Sequence, residues 1–112
     1  RRKMEVTDIN NIDETTSLQG VINITYADLV KVFGPPDFFF DDHKINAEWS
    51  GRICGNVFTI YNWKDGKNYC GIRGLAIKDI TKWNIGGHSQ DIVILLGAYL
   101  KECSIPVRYS SC

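Results

Sequence analysis

The pattern of hydrophobic and polar positions predicts a helix near the start of the chain. Over residues 26–33, apolar side chains recur at three- and four-residue spacings, which is typical of one buried helix face. Thr25 is placed to cap the first turn, while Gly34 and the two prolines after it end the helix. The expected buried stripe consists of Tyr26, Leu29, Val30 and Phe33.

A strict two-residue alternation then predicts strands. It is found over residues 45–50 and again over 79–85. In the second stretch, Ile80, Lys82 and Asn84 face one way and Thr81, Trp83 and Ile85 the other. The segment 57–63 is rich in β-branched and aromatic residues, and the Cys-Gly-Asn sequence before it is typical of a turn. These three strands predict an antiparallel β-meander.

Three other segments give weaker signals. Residues 21–24 are expected to form an edge strand or to lead directly into the first helix, and residues 107–109 to add a weak extra strand. The sequence DFFFDDH, residues 37–43, is interpreted as an aromatic loop.

An apolar run predicts the last helix, with Ser89 as its cap. Its wide apolar face requires burial by the sheet or by another subunit. The order of elements indicates an α+β fold, in which a small antiparallel sheet of three to five strands carries two helices packed on one face. A homo-oligomer formed through the last helix or an exposed sheet face is expected.

Residues 1–18 are polar and charged, which predicts a flexible N-terminal arm, whereas residues 19–112 are expected to form a single α+β domain. The arm lacks the apolar block of a secretory signal, and no apolar run is long enough to span a bilayer. These features predict a cytoplasmic protein with no membrane partner.

Composition excludes some classes of function. Thirteen basic and thirteen acidic residues cancel, so wholesale electrostatic binding of nucleic acid is disfavoured. The four cysteines form no C-x-x-C pair and the two histidines lack zinc-finger spacing, so neither a metal site nor a cofactor is expected. Reduced cysteines are the expected state.

The sequence WNIGGHS, residues 83–89, is the first candidate site. Glycines at the start of a helix allow backbone N–H groups to face an anion, and the helix dipole favours a phosphate or carboxylate there. The candidate anion contacts are Gly86, Gly87, His88 and Ser89. The alternative interpretation is a plain strand-to-helix corner, and Asp91 in the first turn would repel an anion.

A second candidate set combines aromatic rings with cations, which suits a nucleotide. It consists of Trp63 and Tyr69 as stacking surfaces and Lys64, Lys67 and Arg73 as counter-charges. The alternative is a solvated charged turn. No group of residues has the spacing of a catalytic site, so no catalytic residues are assigned and a binding protein is favoured over an enzyme.

At YADLVKVFG, AEW, TIYNWKDG and WNIGGHS, the chain resembles a family of small uncharacterised accessory proteins of bacteriophages and large DNA viruses. The resemblance covers about residues 24–100, and it implies a viral protein that acts inside the host cell. It implies no catalytic residues.

The expected function is therefore non-catalytic binding of a phosphate-bearing small molecule, such as a nucleotide signal of host defence. Two alternatives remain open. One is an interaction with a host or virion protein, and the other is a small hydrolase that uses His88.

Overall fold

A computed structural model of the protein describes residues 5–41, 44–62 and 77–111. The two helices are α1, Tyr26–Phe33, and α2, Asp91–Glu102. The strands are β1 Val6–Thr7, β2 Ser17–Asn23, β3 Asp37–Asp41, β4 Lys44–Ile53, β5 Asn56–Tyr61, β6 Lys82–Gly87 and β7 Arg108–Ser111. A short 3-10 helix, Ile77–Asp79, precedes β6.

All strand pairs in the described residues are antiparallel and belong to one sheet. The strand order is β1-β4-β5-β6-β2-β7, and β3 also pairs with β4. The predicted meander is present as β4, β5 and β6. The expected three to five strands were too few, because the described part of the chain contains seven.

The additional strands come from segments with weak local signals. The aromatic segment predicted as a loop is β3, which pairs Phe38 with Ala47. Residues 17–23 form β2, which lies between β6 and β7 and is therefore not an edge strand. In both cases a neighbouring strand supplies the backbone hydrogen bonds. The three phenylalanines of β3 are themselves a residue type that favours strands.

Helix α1 confirms its sequence signals. The Thr25 side chain accepts a hydrogen bond from the Asp28 N–H at 3.1 Å, and Gly34 has a positive φ of 82°. Two buried tryptophans bond to the backbone beside its ends. The Trp83 indole donates to the Ile24 carbonyl at 3.1 Å, and the Trp49 indole donates to the Gly34 carbonyl at 2.7 Å.

The register divides the side chains of the sheet between two faces, because residues paired across strands project to the same side. The apolar face carries the fully buried Trp49, Ile60 and Ile85, which form one row across β4, β5 and β6. The adjacent positions define the polar face, whose members include Glu48, Ser50, Arg52, Thr59, Tyr61, Lys82, Asn84, Gly86, Val21, Asn23, Arg108 and Ser110.

Both helices contact residues of the apolar face. The Tyr26 ring of α1 lies 5.7 Å from the Trp49 ring and 6.4 Å from the Trp83 ring, measured between centroids. On α2, Val93 approaches β2 so closely that a Cβ atom on Gly20 would lie 2.8 Å from its Cγ2. The helices also meet each other, since the Phe33 and Tyr99 rings are 6.0 Å apart.

The N-terminal residues, expected to form a flexible arm, contact the sheet from residue 5 onward. Strand β1 pairs with β4, and Asn10 bonds through its backbone N–H to the Ser50 carbonyl at 2.8 Å. Residues 8–16, here called the crossing segment, then pass from the β4 edge to β2. Val6 and Ile9 also pack against the hydrophobic core, although the low apolar content of residues 1–18 gave no indication of these contacts.

Candidate functional site

Gly86 and Gly87 do not lie at the start of a helix. They are the last residues of β6, and each is paired with β2 on one side and β5 on the other. Strand pairing on both sides leaves the backbone of a central strand committed to the sheet rather than open to a ligand. Their position differs from the helix N-terminus on which the anion hypothesis rested.

Close packing explains why both positions are glycine. A Cβ atom on Gly86 would meet the Thr59 hydroxyl and would lie 2.7 Å from the Thr16 hydroxyl. A Cβ atom on Gly87 would lie 2.7 Å from Cγ2 of Ile92. The two threonine hydroxyls are themselves 3.0 Å apart and hydrogen bonded. The absence of a side chain at Gly86 therefore allows the crossing segment to pack on the polar face, and its absence at Gly87 allows α2 to pack on the other face.

His88 and Ser89 are exposed at the corner between β6 and α2. Ser89 was expected to cap α2, but the capping position is Gln90, which makes no capping side-chain bond. Ser89 contributes its backbone carbonyl, which accepts a hydrogen bond from the Ile92 N–H at 3.2 Å. The helix begins at Asp91, one residue later than a Ser89 cap would place it, although Gln90 already has helical dihedral angles of −66° and −17°.

His88 is bound to the crossing segment. Its Nε2 atom lies 3.0 Å from the Thr15 carbonyl, to which it must donate, and 3.7 Å from Oε1 of Glu14. The side chain is 53% exposed, so this contact lies at the surface. With a carboxylate as its nearest charged neighbour, the corner offers an anion little attraction.

Arg52, which contacts the same Glu14 carboxylate as His88, is also paired. Its Nε atom is 3.1 Å from Asp8 and its second guanidinium nitrogen is 3.0 Å from Glu14. The hydrogen bond to Glu14, together with that to Asp8, raises the pKa of the Arg52 guanidinium above its ordinary value. We call this group, formed by Asp8, Glu14, Arg52 and His88, the crossing end of the polar face.

At the opposite end of the polar face, two cations flank an asparagine in one row across three strands. The sequence patterns did not single out this row. In this row, Asn23 of β2 is paired with Lys82 of β6 on one side and with Arg108 of β7 on the other. All three side chains are exposed. Within the described residues, neither Lys82 nor Arg108 forms an ion pair. We call this row the basic end.

The geometry of the basic end follows from the spacing of the sheet. Strands β6 and β7 lie on either side of β2, so the backbones of Lys82 and Arg108 are about 10 Å apart. This distance allows the two long side chains to reach the same anion above Asn23. The next row along the strands continues the surface with Tyr61, Asn84, Val21 and Ser110. The alternation of Lys82 with Trp83 was visible in the sequence, but its alignment with Arg108 depends on strand order.

The second candidate set lies outside the described residues. It comprises Trp63, Lys64, Lys67, Tyr69 and Arg73. The described chain leaves β5 at Tyr61, directly across from Asn84 and thus next to the basic end.

No group of three or more His, Cys, Asp or Glu side chains in the described part of the chain is arranged to hold a metal ion. Cys54 and Cys103 are both free thiols.

The described helices are all too short or too polar to cross a membrane.

No family model, curated protein or solved structure matches this chain.

Proposed function

We propose that the protein is a non-catalytic binding protein for a phosphate-bearing small molecule and that it holds this ligand at the basic end of the polar face. The observation that supports this proposal is the row of Lys82, Asn23 and Arg108, whose two cations have no carboxylate partner among the described residues. Unpaired exposed cations in register are available to a ligand.

The position of the two helices supports the choice of the polar face as the ligand-binding side of the sheet. We infer that both helices pack on the apolar face, since Tyr26 of α1 stacks beside Trp49 and Trp83, and Val93 of α2 packs on Gly20. The polar face is then the side on which a ligand reaches the strands. The crossing segment covers one end of the polar face, where Thr16 bonds to Thr59 and Glu14 bonds to Arg52. The basic end lies away from that segment.

The chemistry of the row matches a phosphate. A guanidinium donates two parallel hydrogen bonds to a phosphate, whereas an ammonium acts as a compact point charge. The Asn23 amide adds neutral donors between the two cations. For a nucleotide, Trp63 and Tyr69 remain the proposed stacking surfaces and Lys64, Lys67 and Arg73 the proposed additional cations.

The wider setting rests on the resemblance to viral accessory proteins. In that setting the protein acts in the host cytoplasm and sequesters a nucleotide signal of host defence. Capture of a host or virion protein and hydrolysis of the ligand by His88 are the competing functions, and detection of a hydrolysed ligand distinguishes the hydrolase from simple binding.

The test is a thermal-shift and calorimetry screen with inorganic phosphate, mononucleotides and cyclic dinucleotides at millimolar concentration. A ligand that binds the folded state raises the Tm of the protein. Lys82→Glu/Arg108→Glu should weaken binding by more than about 10-fold, since each charged hydrogen bond contributes about 1.5–3 kcal/mol. The control, Lys31→Glu/Lys78→Glu, makes the same change in net charge at exposed positions elsewhere.

Three outcomes would contradict the proposal. They are no shift with any phosphate compound, an equal loss of affinity in the control variant, and chromatographic detection of a hydrolysed ligand. The last outcome, if abolished by His88→Ala, would favour the hydrolase.

A further inference from the structure

The outward side of α2 carries an apolar side chain between two opposite charges. We infer that this side joins two copies of the chain in an antiparallel dimer. The surface consists of Asp91, Ile94, Ala98 and Lys101, here called the outer stripe, and the partner is a second copy of the same protein. This inference is independent of the ligand proposed above.

The spacing of the four residues places them on one side of the helix. They follow each other at intervals of three, four and three residues, which is the spacing of a helix–helix contact seam. All four are exposed, and Ile94 is the most exposed of the large hydrophobic residues described, at 57%. The opposite side of α2 is buried through Ile92, Val93, Leu96, Gly97 and Leu100.

The stripe is complementary to itself only in the antiparallel direction. A two-fold axis at the level of Leu96 pairs Asp91 of each copy with Lys101 of the other, and Ile94 with Ala98. Because Ala98 is small, the Ile94 side chain fills the space over it and allows a close approach of the two helices. A parallel arrangement would instead oppose like charges.

The charges at the two ends of the stripe are available for this pairing. Neither Asp91 nor Lys101 has an ion-pair partner among the described residues. They lie ten residues apart, about 15 Å along the helix axis, so each cross-copy pair is separate from the other. Two ion pairs at the rim of an apolar contact determine the relative orientation of the two helices more than the affinity of the dimer.

Tyr109 extends the apolar surface beside the stripe. Its ring occupies the space that a side chain on Gly97 would fill, and it remains 44% exposed. Gly97 lies three residues after Ile94 and four before Lys101 on the helix, so the ring borders the seam. A contact of one helix and one ring lies at the low end of interface sizes, so the dimer is expected to be weak and concentration-dependent.

The test is sedimentation velocity of the whole chain over a concentration series from about 10 μM to 1 mM, a range suited to weak association. The wild-type protein should shift from monomer to dimer, and Ile94→Asp should remain monomeric with an unchanged circular dichroism spectrum. Asp91→Lys and Lys101→Asp should each weaken self-association by at least about 10-fold, since each opposes like charges at both ends of the seam.

A mixture of these two single variants gives the sharpest readout. In the mixed dimer every charged contact again pairs Lys with Asp, so the mixture should dimerise at concentrations at which neither variant does so alone. The same mixture carrying Ile94→Asp in both chains is the control for general charge attraction and should remain monomeric. A wild-type protein that is monomeric throughout, dimerisation of Ile94→Asp, or failure of the mixture to dimerise would each overturn the inference.

Discussion

The two ends of the polar face each carry an arginine, but the two arginines differ in their partners. At the crossing end, Arg52 bridges Asp8 and Glu14 and holds residues distant in the sequence against the sheet. At the basic end, Arg108 and Lys82 flank Asn23 without a carboxylate partner among the described residues. The two ends are about 17 Å apart along β6, since Gly87 lies five residue steps after Lys82 in the strand.

This difference shows that the partner of a charged side chain indicates its function better than the charge itself. A guanidinium whose hydrogen bonds are taken by two carboxylates stabilises a chain crossing, whereas an unpaired one is free to bind an anion. The histidine and glycines of WNIGGHS lie at the paired end, and the proposed ligand surface lies at the other. Three changes, in order of decreasing effect, test this division.

Gly86→Val should have the largest effect. The new side chain would collide with Thr16 and Thr59, and overpacking of this kind costs about 1–3 kcal/mol of unfolding free energy. Chemical denaturation measures the loss. Ser110→Val, an exposed change on the same face, is the control and should leave stability nearly unchanged. Equal stability of the two variants would show that Gly86 is not required for packing of the crossing segment.

Arg52→Met should have an intermediate effect. It removes both ion pairs of the crossing segment, so the Tm should fall and hydrogen exchange at residues 8–16 should accelerate. Because exposed ion pairs are screened by salt, the difference in Tm should shrink in about 1 M NaCl. Lys82→Met is the matched control from the basic end, and it should change neither quantity. An equal change in both variants would remove the distinction between the two ends.

His88→Ala should have the smallest effect. Loss of the exposed hydrogen bond to the Thr15 carbonyl should reduce stability by about 0.5 kcal/mol, measured by denaturation. Affinity for a phosphate ligand should not change, because the basic end is distant from His88. A large loss of affinity in this variant would place the ligand at the crossing end.

The sequence predicted those parts of the fold that are determined locally. Helix α1 was predicted with its observed bounds, since Thr25 and Gly34 mark its two ends. The faces of Lys82 and Trp83 were predicted correctly from their alternation. Strand β1 and the contacts of residues 8–16 were missed, because their partners in β4 and β5 lie far away in the sequence. Strand β3 was predicted as a loop although its partner β4 follows it closely in the sequence.

The candidate site also depends on contacts between residues that the local sequence pattern does not reveal. A Gly-Gly pair before an apolar helix is typical of a turn, and the need for glycine here comes from Thr16 on one face and Ile92 on the other. Neither neighbour is visible in the local pattern. The row at the basic end joins residues 23, 82 and 108, and only strand order brings them together.

The two buried tryptophans provide an optical signal specific to the packing of α1. Their rings are 5.3 Å apart and nearly perpendicular, at 75°, so their electronic transitions are close enough to couple. Each indole also bonds to the backbone beside one end of α1. Near-ultraviolet circular dichroism from this pair should therefore disappear when α1 detaches, even under conditions in which the strands remain paired.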